Sequence, residues 1–302
     1  MKLIIDTDPG VDDAMAFAYA AAHPDIELIA LTTVFGNIAL ETATRNALWL
    51  SDLSGSQVPV HAGAAGPLNG NEPHYVPHIH GEQGLGSAIA PEPKTPAKKE
   101  PAAEFLIRAA AENPGQVTLC AVGPLTNIAR AMTLDPGFLG NLAQLVIMGG
   151  SLHAGGNVTP HAEANFHSDP EAANQVLHAP DAGRITIIGL DVTTRVIATP
   201  DQFRQVPAGP MASLLVQATD FYMEFHRQKG GHRICYMHDP AAVIYVIRPD
   251  LFGTAPHRLE VCLKGAERGA MRQSHTAPTP CQVAMTVESE AVSTEFFRAL
   301  SA

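Results

Sequence analysis

Short apolar, β-branched runs alternate with longer Ala- and Leu-rich amphipathic ones along most of this 302-residue chain. "KLIID" precedes "VDDAMAFAYAAAH" and "IELIALTTV" precedes "ALETATRNALWLSDL"; the alternation resumes with "AAEFLIRAAAEN", "VTLCAV", "LTNIARAM", "LAQLVIMGG", "DPEAANQVLHA" and "RITIIGLDV". Near-continuous apolar strands cannot leave a face to water, and the intervening helices supply the covers. The pattern therefore predicts an α/β fold, a mostly parallel central sheet flanked by helices. Ligands bind such sheets at the carboxyl ends of the strands, so polar residues just after each strand are the functional candidates.

Hydrophobic residues make up 46% of the chain and charged ones 16%, which excludes a disordered chain or a coiled coil. The length suits one domain over residues 1–302. Two segments break the alternation. Residues 62–100 are rich in Pro, Gly and His without periodicity, and folded sequence continues on both sides, so they are expected to form an active-site loop. Residues 211–238 read as an amphipathic helix ending at Gly230 and Gly231, then a turn into a helix starting near Asp239. The net charge of −11, with scattered Lys and Arg, lacks the basic footprint of a nucleic-acid or anionic-membrane binder. No stretch approaches the roughly 20 apolar residues that cross a bilayer, and the run Leu3 to Ile5 is too short for a signal peptide. The expectation is a cytoplasmic protein acting on a small molecule. Cys120, Cys235, Cys262 and Cys281 are widely spaced without a CxxC pair and read as reduced, structural thiols.

The segment "DTDPGVDD" puts Asp6, Asp8, Asp12 and Asp13 at the first strand-to-helix turn. A helix N-terminus favours negative charge by about 0.3–1 kcal/mol per group, enough to account for one or two of them. Four closely spaced carboxylates stay ionised only beside positive charge, and no Lys or Arg lies nearby after Lys2. Oxygen-only ligands point to a hard cation, Ca²⁺ or Mg²⁺. An EF-hand fails because Phe17 stands where the bidentate Glu belongs. A DxD-type Mg²⁺ phosphatase aligns through Asp8 but meets Gly10 where Thr or Val is required; on the residues alone it remains an alternative.

Two more polar clusters follow strands. "GNVTPHAEANFHSDPEAA" offers Asn157, Glu163 and Asn165 for hydroxyl groups, with Asp169 as a helix cap before Pro170. "MHDPAAVIYVI" offers His238 and Asp239, the latter also a good helix cap. His74, His78 and His80 have spacing that permits a metal, but a Pro-containing loop lacks preorganisation and no Cys or carboxylate completes the set. Tyr222, Phe225, His226 and Tyr236 form an aromatic stripe that reads first as core.

Together "DTDPGVDD", "TTVFGN", "AVGPLTNIA", "GNVTPHAEANFHSDPEAA" and "HDPAAVIYVI", in that order over nearly the whole chain, resemble the inosine-uridine-preferring nucleoside hydrolase family. The resemblance implies hydrolysis of the N-glycosidic bond of a ribonucleoside to ribose and free base, with one Ca²⁺ per subunit. It implies that Asp8, Asp13, Asp239 and the Val122 carbonyl hold the ion and that Asp8 is the general base toward the attacking water. Asp12, Asn157, Glu163 and Asn165 match the ribose-binding positions, Asn37 the Asn near the substrate, and Asp6 a supporting carboxylate. His238 matches the candidate acid for the leaving base, and His80 a His of the base-pocket loop. The aromatic stripe would then supply base contacts. Ala164 departs from an aromatic found there in several members, which alters stacking or pocket shape. The family's habit implies a homodimer or homotetramer. A non-catalytic Ca²⁺-dependent nucleoside- or ribose-binding protein is the second alternative.

Overall fold

The computed structural model describes residues 1–301. Among them are twelve strands: β1 (Lys2–Thr7), β2 (Glu27–Thr33), β3 (Val60–Ala62), β4 (Val117–Ala121), β5 (Gln144–Met148), β6 (Ile185–Ile188), β7 (Ile197–Ala198), β8 (Cys235–Tyr236), β9 (Phe252–His257), β10 (Leu259–Val261), β11 (Met271–Gln273) and β12 (Cys281–Val287). Eight form the central sheet in the order β3-β2-β1-β4-β5-β6-β12-β9, parallel except for β9, which runs antiparallel at one edge. The expected mostly parallel sheet flanked by helices is what the chain forms.

Side-chain alternation explains the two covers. Leu3 and Ile5 point into one buried cluster with the helices Val11–Ala22, Pro210–Gly230, His238–Ile247 and Ser289–Leu300, while Ile4 points into the other with Ala102–Glu112, Thr126–Leu134 and Pro170–Leu177. The register pairs Asp6 with Thr32 on β2 and with Ala121 on β4, so the carboxyl ends of three central strands finish level. Helix Val11–Ala22 packs directly on helix His238–Ile247. That contact brings together the two helices whose first turns carry Asp12, Asp13 and Asp239.

Asp169 caps the helix Pro170–Leu177 as expected, accepting from Ala172 N at 3.1 Å, with Pro170 in the first turn. Fully buried, it also accepts from Thr126 Oγ1 at 2.6 Å and Leu68 N at 2.9 Å, tying the loop after β3 to two helices. Asp169→Ala is expected to cost about 2–3 kcal/mol, since it strands several buried donors at once. A thermal unfolding curve checks this, and an unchanged melting temperature would show the cap to be redundant.

The structure adds detail at three places. The helix near Asp239 begins at His238, with Met237 at the cap position, and Asp239 makes no cap bond; its carboxylate is left for other work. The segment 62–100 contains a one-turn helix, Pro77–His80, which turns His80 inward. The strands β9 to β12 had no counterpart in the apolar pattern: β9 is a half-exposed edge strand, and Pro256 is tolerated there because an edge does not need its missing N–H. Cys120, Cys235 and Cys281 are buried and Cys262 partly so, all four free thiols. No helix among the described residues is long and apolar enough to cross a membrane.

Candidate active site

The end of β1 and the first turn after it hold the four aspartates in unequal surroundings. Asp13 is the best neutralised. Its Oδ1 accepts from Thr7 Oγ1 at 2.5 Å and Asp8 N at 3.2 Å, and its Oδ2 accepts from Gly10 N at 2.9 Å and Asn37 Nδ2 at 3.2 Å. Asp8 Oδ2 accepts from Asn37 N at 2.6 Å, while its Oδ1 is buried without a partner. Two glycines let this carboxylate sit where it does: a Cβ on Gly36 would fall 2.1 Å from Asp8 Oδ2 and one on Gly123 2.5 Å from Oδ1. The glycines of "TTVFGN" and "AVGPLTN" thus form the walls of the Asp8 slot.

Asp6 accepts from Thr32 Oγ1, and from Asn127 Nδ2 at 2.8 Å. Asn127 also donates to the Thr33 carbonyl at 3.0 Å and accepts from Ala64 N at 2.9 Å, joining three strand ends. Its position at the end of "AVGPLTN" marks it as polar sequence after a strand, but only the fold shows what it holds.

One carboxylate oxygen from each of Asp12, Asp13 and Asp239 lies within 4.8 Å of the others. Asp8 is outside that trio, yet its charge adds to the rise in the Asp239 pKa. Burial raises every carboxyl here: Asp6 to about 7 and Asp12 to about 8, with Asp8, Asp13 and Asp239 also raised, and mutual repulsion contributes for Asp8, Asp12 and Asp239. No Lys or Arg among the described residues pairs with them. Buried oxygens of Asp6, Asp8 and Asp12 lack partners among the described residues. Such a cluster is electrostatically incomplete by itself, and its all-oxygen donor set fits a hard divalent cation. The Val122 carbonyl accepts from Asn165 Nδ2 at 2.8 Å and retains a second lone pair. His74, His78 and His80 form no comparable cluster among the described residues, since His78 sits edge-on to Phe225 while His80 turns into the site.

Above the carboxylates lies a cavity of about 390 Å³, with Asp12, Asn37, Asn157, Glu163, Asn165 and Asp239 on its polar walls. Asn165 also donates to the Met148 carbonyl at 3.0 Å. Glu163 caps the short helix after it, accepting from Asn165 N and Gly150 N at 2.8 Å and from Phe166 N at 3.1 Å. Asn157 is the exposed member, its Oδ1 accepting from Ala164 N at 2.9 Å. Tyr222, Phe225, His226 and Tyr236 line the same cavity. The stripe read as core therefore also faces the cavity.

His80 and His238 line the same space. His80 Nδ1 accepts from Val11 N at 3.1 Å, and His238 Nδ1 lies 2.8 Å from Thr193 Oγ1. Burial, with neighbouring histidines adding, depresses His80 to about 3 and His238 to about 4. Thr193 carried no signal in the sequence, because its partner lies far along the chain.

The site can be set beside known proteins. A model of the inosine-uridine preferring nucleoside hydrolase family matches residues 3–294. Uridine nucleosidase 1 of Arabidopsis thaliana is 39% identical, over 96% of this chain and 90% of its own. A plant nucleoside hydrolase structure superimposes with a TM-score of 0.94 at 34% identity, covering 100% of this chain and 99% of the other. A purine-preferring ribonucleoside hydrolase from Gardnerella vaginalis gives 0.94 at 32%, covering 100% and 98%. The match spans both ends of the chain, so it includes the Asp6–Asp13 turn and the His238–Asp239 pair alike. The chain belongs to the inosine-uridine preferring nucleoside hydrolase family.

Proposed function

We propose that the protein hydrolyses the N-glycosidic bond of ribonucleosides, releasing ribose and a free purine or pyrimidine base, with one Ca²⁺ per subunit. The observation that carries this reading is a set of buried carboxylates with unpartnered oxygens, of which Asp12, with Asp239, lines a cavity that also carries hydroxyl-binding groups and aromatic rings. Asp8, Asp13, Asp239 and the Val122 carbonyl would hold the ion. When bound, Ca²⁺ would orient oxygen ligands and make a nearby water more acidic.

Asp8 takes the proton from the attacking water, through the oxygen that has no hydrogen-bond partner among the described residues. Asp12, Asn157, Glu163 and Asn165 position the ribose, and the carboxylates beside it favour the cationic ring that develops as the glycosidic bond breaks. Asn37 holds Asp8 and Asp13 in place. His238 donates toward the leaving base, and His80, whose Nδ1 lies 3.8 Å from Asp12 Oδ1, borders the same cavity. Asp6 steadies the strand end.

The phosphatase alternative needs Asp6 as a nucleophile, but Asp6 is 0% exposed, its Oδ1 is bonded to Thr32 and Asn127, and its Oδ2 is buried. A panel of purine and pyrimidine ribo- and deoxyribonucleosides at fixed Ca²⁺, scored for reducing sugar, free base and phosphate, tests the whole reading. Base and sugar without phosphate are expected. Loss of one hydroxyl that bonds a charged group should slow 2′-deoxyribonucleosides about 10- to 100-fold. Binding without turnover would make the protein a nucleoside-binding module. The base preference comes from the same panel, since relatives named for uridine and for purines match this chain comparably. A homodimer or homotetramer in the cytoplasm completes the proposal, and light scattering reads the oligomeric state.

A further inference from the structure

Thr193 is fully buried on the short helix Leu190–Thr193, and its hydroxyl lies 2.8 Å from Nδ1 of His238. Its neighbour Thr194 spends its hydroxyl proton on the Leu190 carbonyl at 2.7 Å. Thr193 Oγ1 has no such carbonyl: His238 Nδ1 is its one hydrogen-bond partner among the described residues. A buried hydroxyl that leaves its proton unused costs about 1–3 kcal/mol, whereas its lone pairs can go unused far more cheaply. The proton therefore goes to Nδ1, which must offer its lone pair. A neutral imidazole with the lone pair on Nδ1 carries its hydrogen on Nε2.

Nε2 makes no hydrogen bond among the described residues, and His238 is part of the cavity wall. The ring plane is fixed as well: Tyr236 stacks on His238 with centroids 5.5 Å apart and planes 23° apart. Tyr236 is braced by His226, edge-on at 4.9 Å. Hydroxyl and stacked ring together leave one presentation of the imidazole.

We propose that Thr193 is a positioning residue that sets the tautomer of His238, so that Nε2–H is offered to the leaving base as a hydrogen-bond donor. The donated bond stabilises negative charge building on the base nitrogen as the glycosidic bond breaks, and no proton need leave the ring. This rests on the reading of His238 as the leaving-group donor. It adds that a residue touching neither sugar nor base controls how well base departure is assisted.

The test compares wild type, Thr193→Val, Thr193→Ser, His238→Ala and the Thr193→Val/His238→Ala double variant on inosine and on p-nitrophenyl riboside, whose leaving group needs no help. Thr193→Val keeps the shape and removes the hydroxyl. It is expected to lower kcat on inosine about tenfold with KM little changed, and to alter p-nitrophenyl riboside less than about twofold. Thr193→Ser should restore most of the loss, and the double variant should be no worse than His238→Ala alone. Equal losses on both substrates, or a further loss in the His238→Ala background, would show Thr193 to be merely structural. Selective loss in His238→Ala without one in Thr193→Val overturns the inference and leaves the His238 reading standing; equal losses in His238→Ala remove both. Imidazole ¹⁵N shifts of His238 in the wild-type protein decide the point without any variant: a pyridine-like Nδ1 and pyrrole-like Nε2 are expected, and the reverse assignment refutes the proposal.

Discussion

Asp8→Ala is expected to lower kcat on inosine and uridine by about 10²- to 10⁴-fold, the usual worth of a positioned general base, without unfolding the protein. Asp8 is held for this task by one backbone bond from Asn37 and by the slot between Gly36 and Gly123, and its second oxygen is left free. Truncation removes the base and leaves the neighbouring Thr7–Asp13 and Thr32–Asp6 bonds intact. Removing one of several mutually repelling buried carboxylates should also leave the metal-free protein no less stable, and its melting temperature in chelator should hold or rise. Near-wild-type turnover in Asp8→Ala would end the assignment of Asp8 as the base.

Stripping the ion is expected to abolish activity and to lower the melting temperature by on the order of 10 °C. Saturation at about 1,000 times Kd stabilises by about 4 kcal/mol, and a chain of this size shifts by a few degrees per kcal/mol. The loss should depend on pH in a direction that the site itself sets. Burial holds the folded-state carboxyls above their ordinary values, Asp6 at about 7 and Asp12 at about 8. The metal-free folded state therefore binds more protons than the unfolded chain through that range, and its stability falls as pH rises toward 8. His80 and His238, depressed to about 3 and about 4, oppose this only below about pH 6.5, where the unfolded histidines take up protons first. Between about pH 6.5 and 8 the carboxylates act alone, so the stabilisation from added Ca²⁺ should grow across that window. Melting curves with chelator and with Ca²⁺ at several pH values check it. A gain that shrinks with pH, or full activity in verified metal-free protein, would remove the ion from the site.

Several features of the site were legible because they are local. Asp6 and Asp8 follow an apolar strand and Asp12 and Asp13 open a helix, relations set within a dozen residues by hydrophobic pattern and by the turn at Pro9 and Gly10. Asp169 and Pro170 likewise announced a helix start. Asp239 was legible as a polar residue before a helical run but misplaced as its cap, because cap and first-turn positions differ by two residues and look alike in sequence. Asn127 and Thr193 went unread for a different reason: each acts on a carboxylate or imidazole that packing, not spacing, brings to it.

The sequence by itself determined the α/β alternation, the two-sided burial of the strands and the gathering of four carboxylates at one strand-to-helix turn, since each follows from side-chain periodicity over short distances. Only the tertiary structure decided which oxygens stay unpartnered, that Asp239 joins Asp12 and Asp13, and that an aromatic stripe faces a cavity as well as a core. Those outcomes depend on helix Val11–Ala22 packing against helix His238–Ile247 from the far part of the chain, and contacts between distant segments exist only once the sheet has set their positions.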